Sequence, residues 1–477
     1  MAGLTKSTAV RAGLALVFIA YGTGFSSRAY AQGAHDYPIP SHAKEAYSPI
    51  REGFESPIEP RARLRGPAPY TDTRGGALRH DERMPDAPAF FRDAKLKANS
   101  RTYWFGEDSF GFDKPKALTT GGSLSYQSGY IADFFQLRSV LYTTQPLYAN
   151  AEAGKTLNLS PQGDEITTLG QINGRMKYAG QQLTAGRQLI RTPYINPYDV
   201  RMIPLTVEGV VLLPEHKEEP KIDYTAAYLW RYKPRNIGSF IPFSEGVGVE
   251  KNEGVLVTGA SYHTDSWNYG FSNYWIKDTL NTLYGEVDYT LPLGSGGGDG
   301  APSLRIGVNN LDQRTVGADL IAGAPYNTYQ ASARVVASYM NFVFTGAVSK
   351  VGDGASIEKP FGFSTSHTAM IITNFHQASV QAYLLQLSYD FKKLGLDGFK
   401  FHVAWGKGEG TADQATNGGF ADQQELDFRF VYEPHRGKLE GLRVELEYAD
   451  WQVFDQDFPS DALTEFRAIV NYSVPLL

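Results

Sequence analysis

The chain has 477 residues with 29 Tyr, 27 Phe and 49 Gly, no Cys, and a formal net charge of −6. This length allows two or three soluble domains or one large all-β body, and the aromatic and glycine content favours strands and turns over helices. The absence of cysteine excludes a disulfide framework, a thiolate metal site and a cysteine nucleophile, and the mild negative charge argues against nucleic acid as a partner.

Residues 1–31 have the pattern of a secretory signal peptide. Lys6 and Arg11 precede an apolar run from Ala12 to Tyr21, and the tripeptide A-Y-A that ends at residue 31 supplies a small-residue cleavage site. The apolar run is too short to cross a membrane as a helix, and no later stretch approaches the roughly 18 apolar residues that a spanning helix needs. The chain is therefore predicted to be exported.

Residues 32–100 differ in composition from the rest of the chain. They hold nine prolines and many charges without sustained alternation of apolar and polar residues. Because proline removes a backbone donor and fixes φ, this segment is predicted to be a flexible or polyproline-like lead in the periplasm. A contact with the cell wall or with a partner protein is the alternative interpretation.

From Arg101 onward, the chain alternates apolar and polar residues in eighteen segments, from 101–110 to 462–475. Segment 440–451 is typical, with Leu442, Val444, Leu446 and Tyr448 on one face and Arg443, Glu445 and Glu447 on the other. The pattern predicts an all-β domain over residues 101–477, a transmembrane antiparallel β-barrel of about 18 strands. Hydrocarbon cannot satisfy an open sheet edge, so an all-β membrane body must close on itself.

The links between the predicted strands alternate in length. Brief links follow the fourth, eighth, twelfth and fourteenth strands, whereas the links 143–167, 190–205, 233–252, 312–326, 351–376 and 407–423 are long. Long extracellular loops on one rim and short periplasmic turns on the other are typical of outer-membrane barrels of Gram-negative bacteria. The links 214–221 and 294–302 are longer than tight turns and are exceptions.

Strand parity places a set of arginines toward the barrel interior: Arg138, Arg175, Arg231, Arg305, Arg334, Arg429, Arg443 and Arg467. Guanidinium is always charged and binds carboxylate through two parallel hydrogen bonds, so a row of arginines could pass an anionic group along a pore. The alternative is structural, since Glu286, Asp288, Asp390, Asp427, Glu445 and Glu447 have the same parity and could pair with the arginines to brace the wall.

The link after the fifth predicted strand carries a recognisable motif. Residues 189–206 read L-I-R-T-P-Y-I-N-P-Y-D-V-R-M-I-P-L-T, which resembles the third-loop motif of the OprD-type substrate-specific porins. The matching residues are Asp199, Arg201, Pro204 and Thr206, whereas Val200 and Leu205 replace a glycine and a glutamine of the family motif. Further similar segments lie at 126–130, 387–391, 395–399 and 470–472, so the resemblance spans about 101–477.

The resemblance implies an eighteen-stranded, monomeric outer-membrane channel. In that family the third loop folds inward to narrow the pore, and a basic ladder guides small carboxylate-bearing solutes such as amino acids or aromatic acids. By this carry-over Arg191, Asp199 and Arg201 lie on the constriction loop. The expected partners are membrane lipid and small anionic or zwitterionic solutes, and no cofactor or metal is expected because diffusion runs down a gradient.

Two other classes of protein remain as alternatives. An outer-membrane barrel enzyme of the lipase or protease type needs a Ser or Asp near a His, and the sequence does not exclude a pair such as Ser366 with His376. The sequence has no H-E-x-x-H, G-x-S-x-G or P-loop motif, and the glycine-rich run 296–301 lacks a following helix. A secreted soluble β binding protein is the third possibility. The favoured interpretation is a porin.

Overall fold

The computed structural model of the chain describes residues 86–109, 114–215, 222–293, 301–410, 422–434, 437, 439–454 and 462–476. Most of these residues lie in nineteen strands: β1 Lys95–Ser109, β2 Lys116–Gln127, β3 Phe135–Ala149, β4 Ile166–Tyr178, β5 Gln181–Gln188, β6 Thr206–Pro214, β7 Ile222–Lys233, β8 Ile241–Pro242, β9 Val255–His263, β10 Trp267–Ile276, β11 Leu280–Pro292, β12 Ser303–Thr315, β13 Asn327–Tyr339, β14 Phe342–Val351, β15 Gln381–Asp390, β16 Phe399–Glu409, β17 Asp422–Tyr432, β18 Leu442–Phe454 and β19 Ala462–Pro475. Four short helical turns lie at Ala89–Arg92, Ala153–Thr156, Phe243–Gly246 and Phe391–Leu394. No helix in these ranges is long and apolar enough to span a membrane.

The strands form one closed antiparallel sheet. Successive strands pair in order, and β1 pairs with both β2 and β19, from Lys97 opposite Pro475 to Ser109 opposite Leu463. The two-residue β8 pairs with β7 alone, and β7 pairs directly with β9, so eighteen strands make the wall. The predicted antiparallel barrel of about 18 strands is confirmed.

Side chains of the wall alternate between an apolar outer face and an inner face rich in polar groups. In β19, Phe466 and Val470 are 42% and 40% exposed on the outside, whereas Arg467 between them is 1% exposed inside the barrel. The same alternation in β17 leaves Leu426 and Phe428 exposed and buries Asp427. An apolar outer face on a closed sheet is what contact with lipid requires.

The strand bounds define two rims. One carries the links 150–165, 189–205, 234–254, 316–326, 352–380 and 410–421, and is called here the long-loop rim. The opposite, short-turn rim carries 179–180, 264–266, 340–341 and 391–398 among others. Link 277–279 on the long-loop rim is short, and 293–302 and 433–441 on the short-turn rim are longer than tight turns.

The barrel begins earlier than residue 101. β1 starts at Lys95, and the helical turn Ala89–Arg92 precedes it, so the end of the predicted lead 32–100 belongs to the ordered body. Pairing explains the shift, because Lys95 lies opposite Gln127 of β2 and Lys97 opposite Pro475 of β19. Backbone hydrogen bonds to two neighbours extend a strand through residues that show no clear apolar alternation. The predicted signal peptide and residues 32–85 lie outside the described residues.

Candidate functional site: the barrel lumen and its two inward loops

Two links of the long-loop rim fold into the barrel. The first inward loop, 189–205, buries Ile195 and Ile203 completely, and the second inward loop, 352–380, does the same with Phe361 and Phe375. Both loops pack against inward-facing side chains of the wall, which on this part of the barrel are apolar. The interior cluster around Ile195 and Phe361 includes wall residues of β6, β7 and β9 to β12: Val207, Val211, Leu213, Ala227, Leu229, Tyr232, Val255, Val257, Tyr274, Ile276, Leu280, Tyr284 and Leu311. The loops therefore divide the lumen.

The first inward loop is attached to β1. Arg101 forms an ion pair with Asp199, with 2.7 Å between Nη1 and Oδ1, and it also donates to the carbonyl oxygen of Arg201. The Tyr103 hydroxyl donates to the carbonyl oxygen of Val200 at 3.2 Å. Asp199 is thus occupied by a wall arginine that sequence reasoning did not select.

Arg201 belongs to the first inward loop, and its side chain is fully buried. Its Nε donates to the Thr156 carbonyl oxygen at 3.1 Å, Nη1 donates to the Tyr103 hydroxyl at 3.3 Å, and Nη2 lies 4.0 Å from Glu465 Oε1. The guanidinium carbon lies 5.2 Å from the centroid of the Phe105 ring, within cation–π range. Arg201 therefore joins the loop to the wall and to link 150–165, whereas Arg191, at the other end of the same loop, is exposed.

The two inward loops contact each other. The Tyr194 hydroxyl donates to the Glu358 carbonyl oxygen at 2.9 Å, and the Asn196 amide donates to the Phe361 carbonyl oxygen at 3.1 Å. The Phe363 amide returns a hydrogen bond to Asn196 Oδ1 at 3.0 Å. Burial raises the pKa of Tyr194 well above its ordinary value, so its hydroxyl keeps the proton that this contact uses.

Gln313 of β12 fixes the point where the loops meet. Its Nε2 donates to the Glu358 carbonyl oxygen at 2.7 Å and to the Tyr194 hydroxyl at 3.2 Å, and its Oε1 accepts from the Glu358 amide at 2.8 Å. Burial also raises the pKa of the Glu358 carboxyl above its ordinary value. One wall side chain thus satisfies groups of both loops.

Further along, the second inward loop is attached to carboxylates of β17. The two oxygens of Glu425 accept from the amides of Ile372 and Thr373, each at 2.7 Å, and Asp427 Oδ2 accepts from the Ile371 amide at 3.2 Å. These bonds satisfy three consecutive backbone amides of the loop. The strand parity that places Asp427 inward also places Glu425 inward, but no sequence signal identifies the loop amides as its partners.

Lys233 ends β7 and is fully buried. Its ammonium donates to the carbonyl oxygens of Pro204 and Pro234, each at 2.9 Å. Within the described residues, no carboxylate lies within ion-pair distance of Lys233. The lysine was not among the residues predicted from sequence, and it holds the end of the first inward loop against the wall.

Most of the predicted inward arginines lie in ion pairs. Asp288 Oδ1 accepts from Arg305 at 3.0 Å and from Arg334 at 2.9 Å. Gly307 lies between these groups, and a Cβ there would overlap Asp288 Oδ1, so the bare glycine lets the three side chains meet. This cluster spans β11, β12 and β13.

A second network spans β17, β18 and β19. Arg429 pairs with Glu445 and with Glu447, the latter at 3.3 Å, and Arg467 pairs with Glu465 and with Glu447, the latter at 3.1 Å. Arg443 pairs with Glu433 at 2.8 Å and with Glu445 at 3.1 Å. Five of the eight predicted arginines are therefore held by wall carboxylates.

Arg138 and Arg175 lie on the neighbouring strands β3 and β4, on the inward side near the short-turn rim. Both are buried, and Gln136 lies opposite Arg175 while Asn173 lies opposite Arg138. Among the described residues, no carboxylate lies within ion-pair distance of Arg175. This part of the wall is therefore basic, in contrast to the network of arginines and carboxylates on β17 to β19.

Arg231 does not face the lumen, so its predicted place among the inward arginines is wrong. The register of β6 and β7 shifts between Glu208 and Gly209. In the strand register Arg231 lies opposite Glu208 and Leu229 lies opposite Gly209, so Trp230 has no residue opposite it and is an extra residue. This β-bulge inverts the alternation, so that Arg231 is exposed on the outer face and Tyr232 is buried inside. Alternation alone cannot reveal a bulge.

Comparison with protein families identifies one match. A model described as "outer membrane porin, OprD family" matches residues 88–476. No protein of curated function matches the chain.

Solved structures share the fold at low sequence identity. OpdK of Pseudomonas aeruginosa, solved with vanillate, has a TM-score of 0.69 at 21% identity, covering 81% of this chain and 100% of that one. OccK2 (OpdF) of the same organism, solved with glucuronate, has a TM-score of 0.67 at 19% identity, with coverage of 82% and 100%. OccAB3 of Acinetobacter baumannii has a TM-score of 0.70 at 17% identity, with coverage of 80% and 100%.

Proposed function

Because the chain belongs to the OprD family of outer membrane porins, we propose that it conducts small carboxylate-bearing solutes through the constriction that its two inward loops leave along the barrel wall. The family and the closed barrel make it a porin of the Gram-negative outer membrane. The proposal concerns which solutes pass and which residues select them.

The balance of charge in the lumen is the observation that carries this proposal. On β17 to β19 the carboxylates are engaged, Glu445, Glu447 and Glu465 by arginines and Glu425 by loop amides. On β4, Arg175 meets no carboxylate of the described residues within ion-pair distance, and Arg138 lies beside it on β3. Two neighbouring guanidinium groups on this stretch of the wall give it a positive potential, which favours anions.

The comparisons support the same class of solute. Vanillate and glucuronate, the ligands named for OpdK and OccK2, each carry a carboxylate. For this chain we propose that Arg138 and Arg175 attract such a group near the short-turn rim, and that Arg305, Arg334, Arg429, Arg443 and Arg467 offer their remaining N–H donors along the wall. Arg191, Asp199 and Arg201 belong to the loop that forms one side of the constriction.

Planar-bilayer recording tests the proposal. With a gradient of KCl across the membrane, the reversal potential is expected to show preference for chloride over potassium, and benzoate or glucuronate is expected to block the chloride current. A closed or cation-selective channel would contradict it. Blocking by uncharged analogues to the same extent would show that the carboxylate is not what the lumen recognises.

We also propose an orientation and a leader. Residues 1–31 act as a signal peptide, the residues between the signal peptide and the barrel lie in the periplasm, the long-loop rim faces the outside, and the channel is a monomer. Amino-terminal sequencing of the mature protein is expected to begin at Gln32, and a tag placed before residue 86 should be reached by protease only after the outer membrane is opened.

The channel interpretation is preferred over a barrel enzyme. The Ser366 hydroxyl shares a hydrogen bond with the Thr368 hydroxyl at 2.9 Å, and no hydrogen bond joins Ser366 to His376 within the described part of the chain. Burial lowers the pKa of His376 well below its ordinary value. Ester or peptide hydrolysis by the purified barrel, lost in Ser366→Ala, would restore the enzyme alternative, and extraction by salt without detergent would restore the soluble one.

A further inference from the structure

Three charged residues form a row across the outside of the barrel. Arg187 of β5 lies directly opposite Glu208 of β6, which lies directly opposite Arg231 of β7. Arg187 Nε donates to Glu208 Oε2 at 3.0 Å, and the Trp230 indole N–H donates to Glu208 Oε1 at 3.0 Å. Both oxygens of the one carboxylate are thus already engaged, and the row carries two guanidinium charges against one carboxylate charge.

The bulge at Trp230 creates this row. Regular alternation would direct Arg231 into the lumen, but the extra residue turns it to the outer face, where it is exposed. Bulges commonly re-aim a side chain. Among the described residues, no carboxylate oxygen lies within 4.0 Å of the Arg231 guanidinium nitrogens.

The row lies at the edge of the apolar outer face. Below it on β7, the outward residues Tyr228 and Ile222 are 50% and 58% exposed, and Arg187 is the next-to-last residue of β5, beside the long-loop rim. Along β7 the order is therefore apolar residues, then Trp230, then Arg231. Tryptophan prefers the boundary between hydrocarbon and headgroups, so the guanidinium groups lie at headgroup level.

We propose that Arg187 and Arg231 bind a phosphate group of a membrane glycolipid in the outer leaflet. Guanidinium binds phosphate with two parallel donors, and desolvation beside the lipid strengthens the contact. Arg187 is fixed in place by Glu208 and by the Phe240 ring, whose centroid lies 4.4 Å from its guanidinium carbon. Arg231 supplies the uncompensated charge. The site lies outside the lumen and does not depend on what the channel conducts; its leaflet rests on the proposed orientation.

Lipid retention tests the site. The purified barrel in detergent is incubated with a bisphosphorylated glycolipid, washed, and examined by native mass spectrometry. Wild type is expected to retain the lipid, and Arg231→Ala to retain about tenfold less, as expected when one charge-assisted contact is lost. Arg314→Ala is the matched control, because Arg314 is exposed beside the same rim but is held by Asp312 through two contacts of 2.7 and 3.1 Å.

The remaining arms separate the sources of phosphate. Dephosphorylated glycolipid should bind the wild type as weakly as the bisphosphorylated lipid binds Arg231→Ala, and inorganic phosphate at millimolar concentration should not displace the glycolipid. Single-channel conductance of Arg231→Ala should equal that of wild type, which shows that the variant is folded. Equal retention by wild type and Arg231→Ala overturns the proposal, as does equal retention of the dephosphorylated lipid. Displacement by inorganic phosphate overturns the assignment to a lipid.

Discussion

Met370 of the second inward loop occupies the space beside Gly406 of β16, where a Cβ would overlap its Sδ atom. Phe375 lies in the same way against Gly408, two residues along the same inward face. Both side chains belong to an interior cluster with Leu384, Ala404 and Trp451 of the wall, among others. Two glycines of one strand therefore shape the wall to receive the loop.

Replacing Gly406 tests this fit. In Gly406→Ala the new methyl group must displace Met370, and overpacking of this kind costs about 1–3 kcal/mol. We expect a looser second inward loop, seen as larger fluctuations of the open-channel current and faster cleavage by chymotrypsin at Phe375. Gly285→Ala is the control, because a Cβ at Gly285 of β11 meets no atom within 4 Å. Identical behaviour of the two variants would contradict the fit.

Glu425 provides a second, polar attachment of the same loop. In Glu425→Gln one of the two acceptor oxygens becomes an NH₂ group, which faces the Ile372 or the Thr373 amide as a second donor. A buried amide left without its acceptor costs about 1–3 kcal/mol, so we expect a lower denaturant midpoint and an altered single-channel conductance. Glu409→Gln is the control, since Glu409 is exposed and pairs with Lys407 at 2.9 Å. A conductance unchanged by Glu425→Gln would mean that this end of the loop does not limit the current.

The sequence predicts the barrel but not the arrangement inside it, for a physical reason. Alternation in a strand is a local signal, so the outward Phe466 and the inward Arg467 could be assigned without knowledge of the rest of the chain. Ile469 shows the limit of that signal. It faces inward although it is apolar, because it packs in a cluster with Tyr103 and Phe105 of β1 and Ile203 of the first inward loop, residues that are far away in sequence.

The candidate site was predictable where a motif or parity existed. The third-loop motif selected a loop in which the structure buries Ile195 and Ile203, and parity placed Arg305 and Arg334 on the inward face. The pairing of both arginines with Asp288 was one of two alternatives. The sequence alone cannot distinguish arginines that brace the wall from arginines that guide a solute. The second inward loop and Lys233 were missed, since neither a long link nor a lysine at a strand end indicates burial. Arg231 was misplaced because a one-residue bulge inverts every later assignment in a strand.

Arg201 should be essential to the first inward loop, whereas Arg191 should not. Arg201→Met removes donors to Thr156 and Tyr103 and leaves Glu465 with one cation fewer nearby, which should cost about 3 kcal/mol. Arg191→Met changes an exposed side chain and should stay within about 0.5 kcal/mol of wild type. Thermal unfolding of both variants is measured by the electrophoretic mobility of heated and unheated protein. Equal melting of the two variants would contradict the anchoring role of Arg201.

Lys233 should hold the end of the first inward loop against the wall. In Lys233→Met the buried carbonyl oxygens of Pro204 and Pro234 lose their shared donor, which should cost about 1–3 kcal/mol. Lys350→Met is the matched control, because its ammonium also donates to a backbone carbonyl, that of Ser379 at 2.7 Å, but from the outward face of β14. Thermal unfolding distinguishes the two variants. An equal loss of stability in both would contradict the anchoring role of Lys233.

Replacing Asp288 distinguishes two roles for Arg305 and Arg334, stabilising the barrel wall and guiding anionic solutes. Asp288→Asn removes a carboxylate that pairs with both Arg305 and Arg334, so stability should fall by about 3 kcal/mol. If the arginines act on solutes, the released charge should also raise the chloride preference roughly twofold, because a unit charge about 10 Å from a permeating ion across water contributes about 0.4 kcal/mol. Asp312→Asn serves as control, since Asp312 pairs with the exposed Arg314 and should change stability by less than about 1 kcal/mol. A fall in stability with unchanged selectivity would mean that Arg305 and Arg334 only brace the wall.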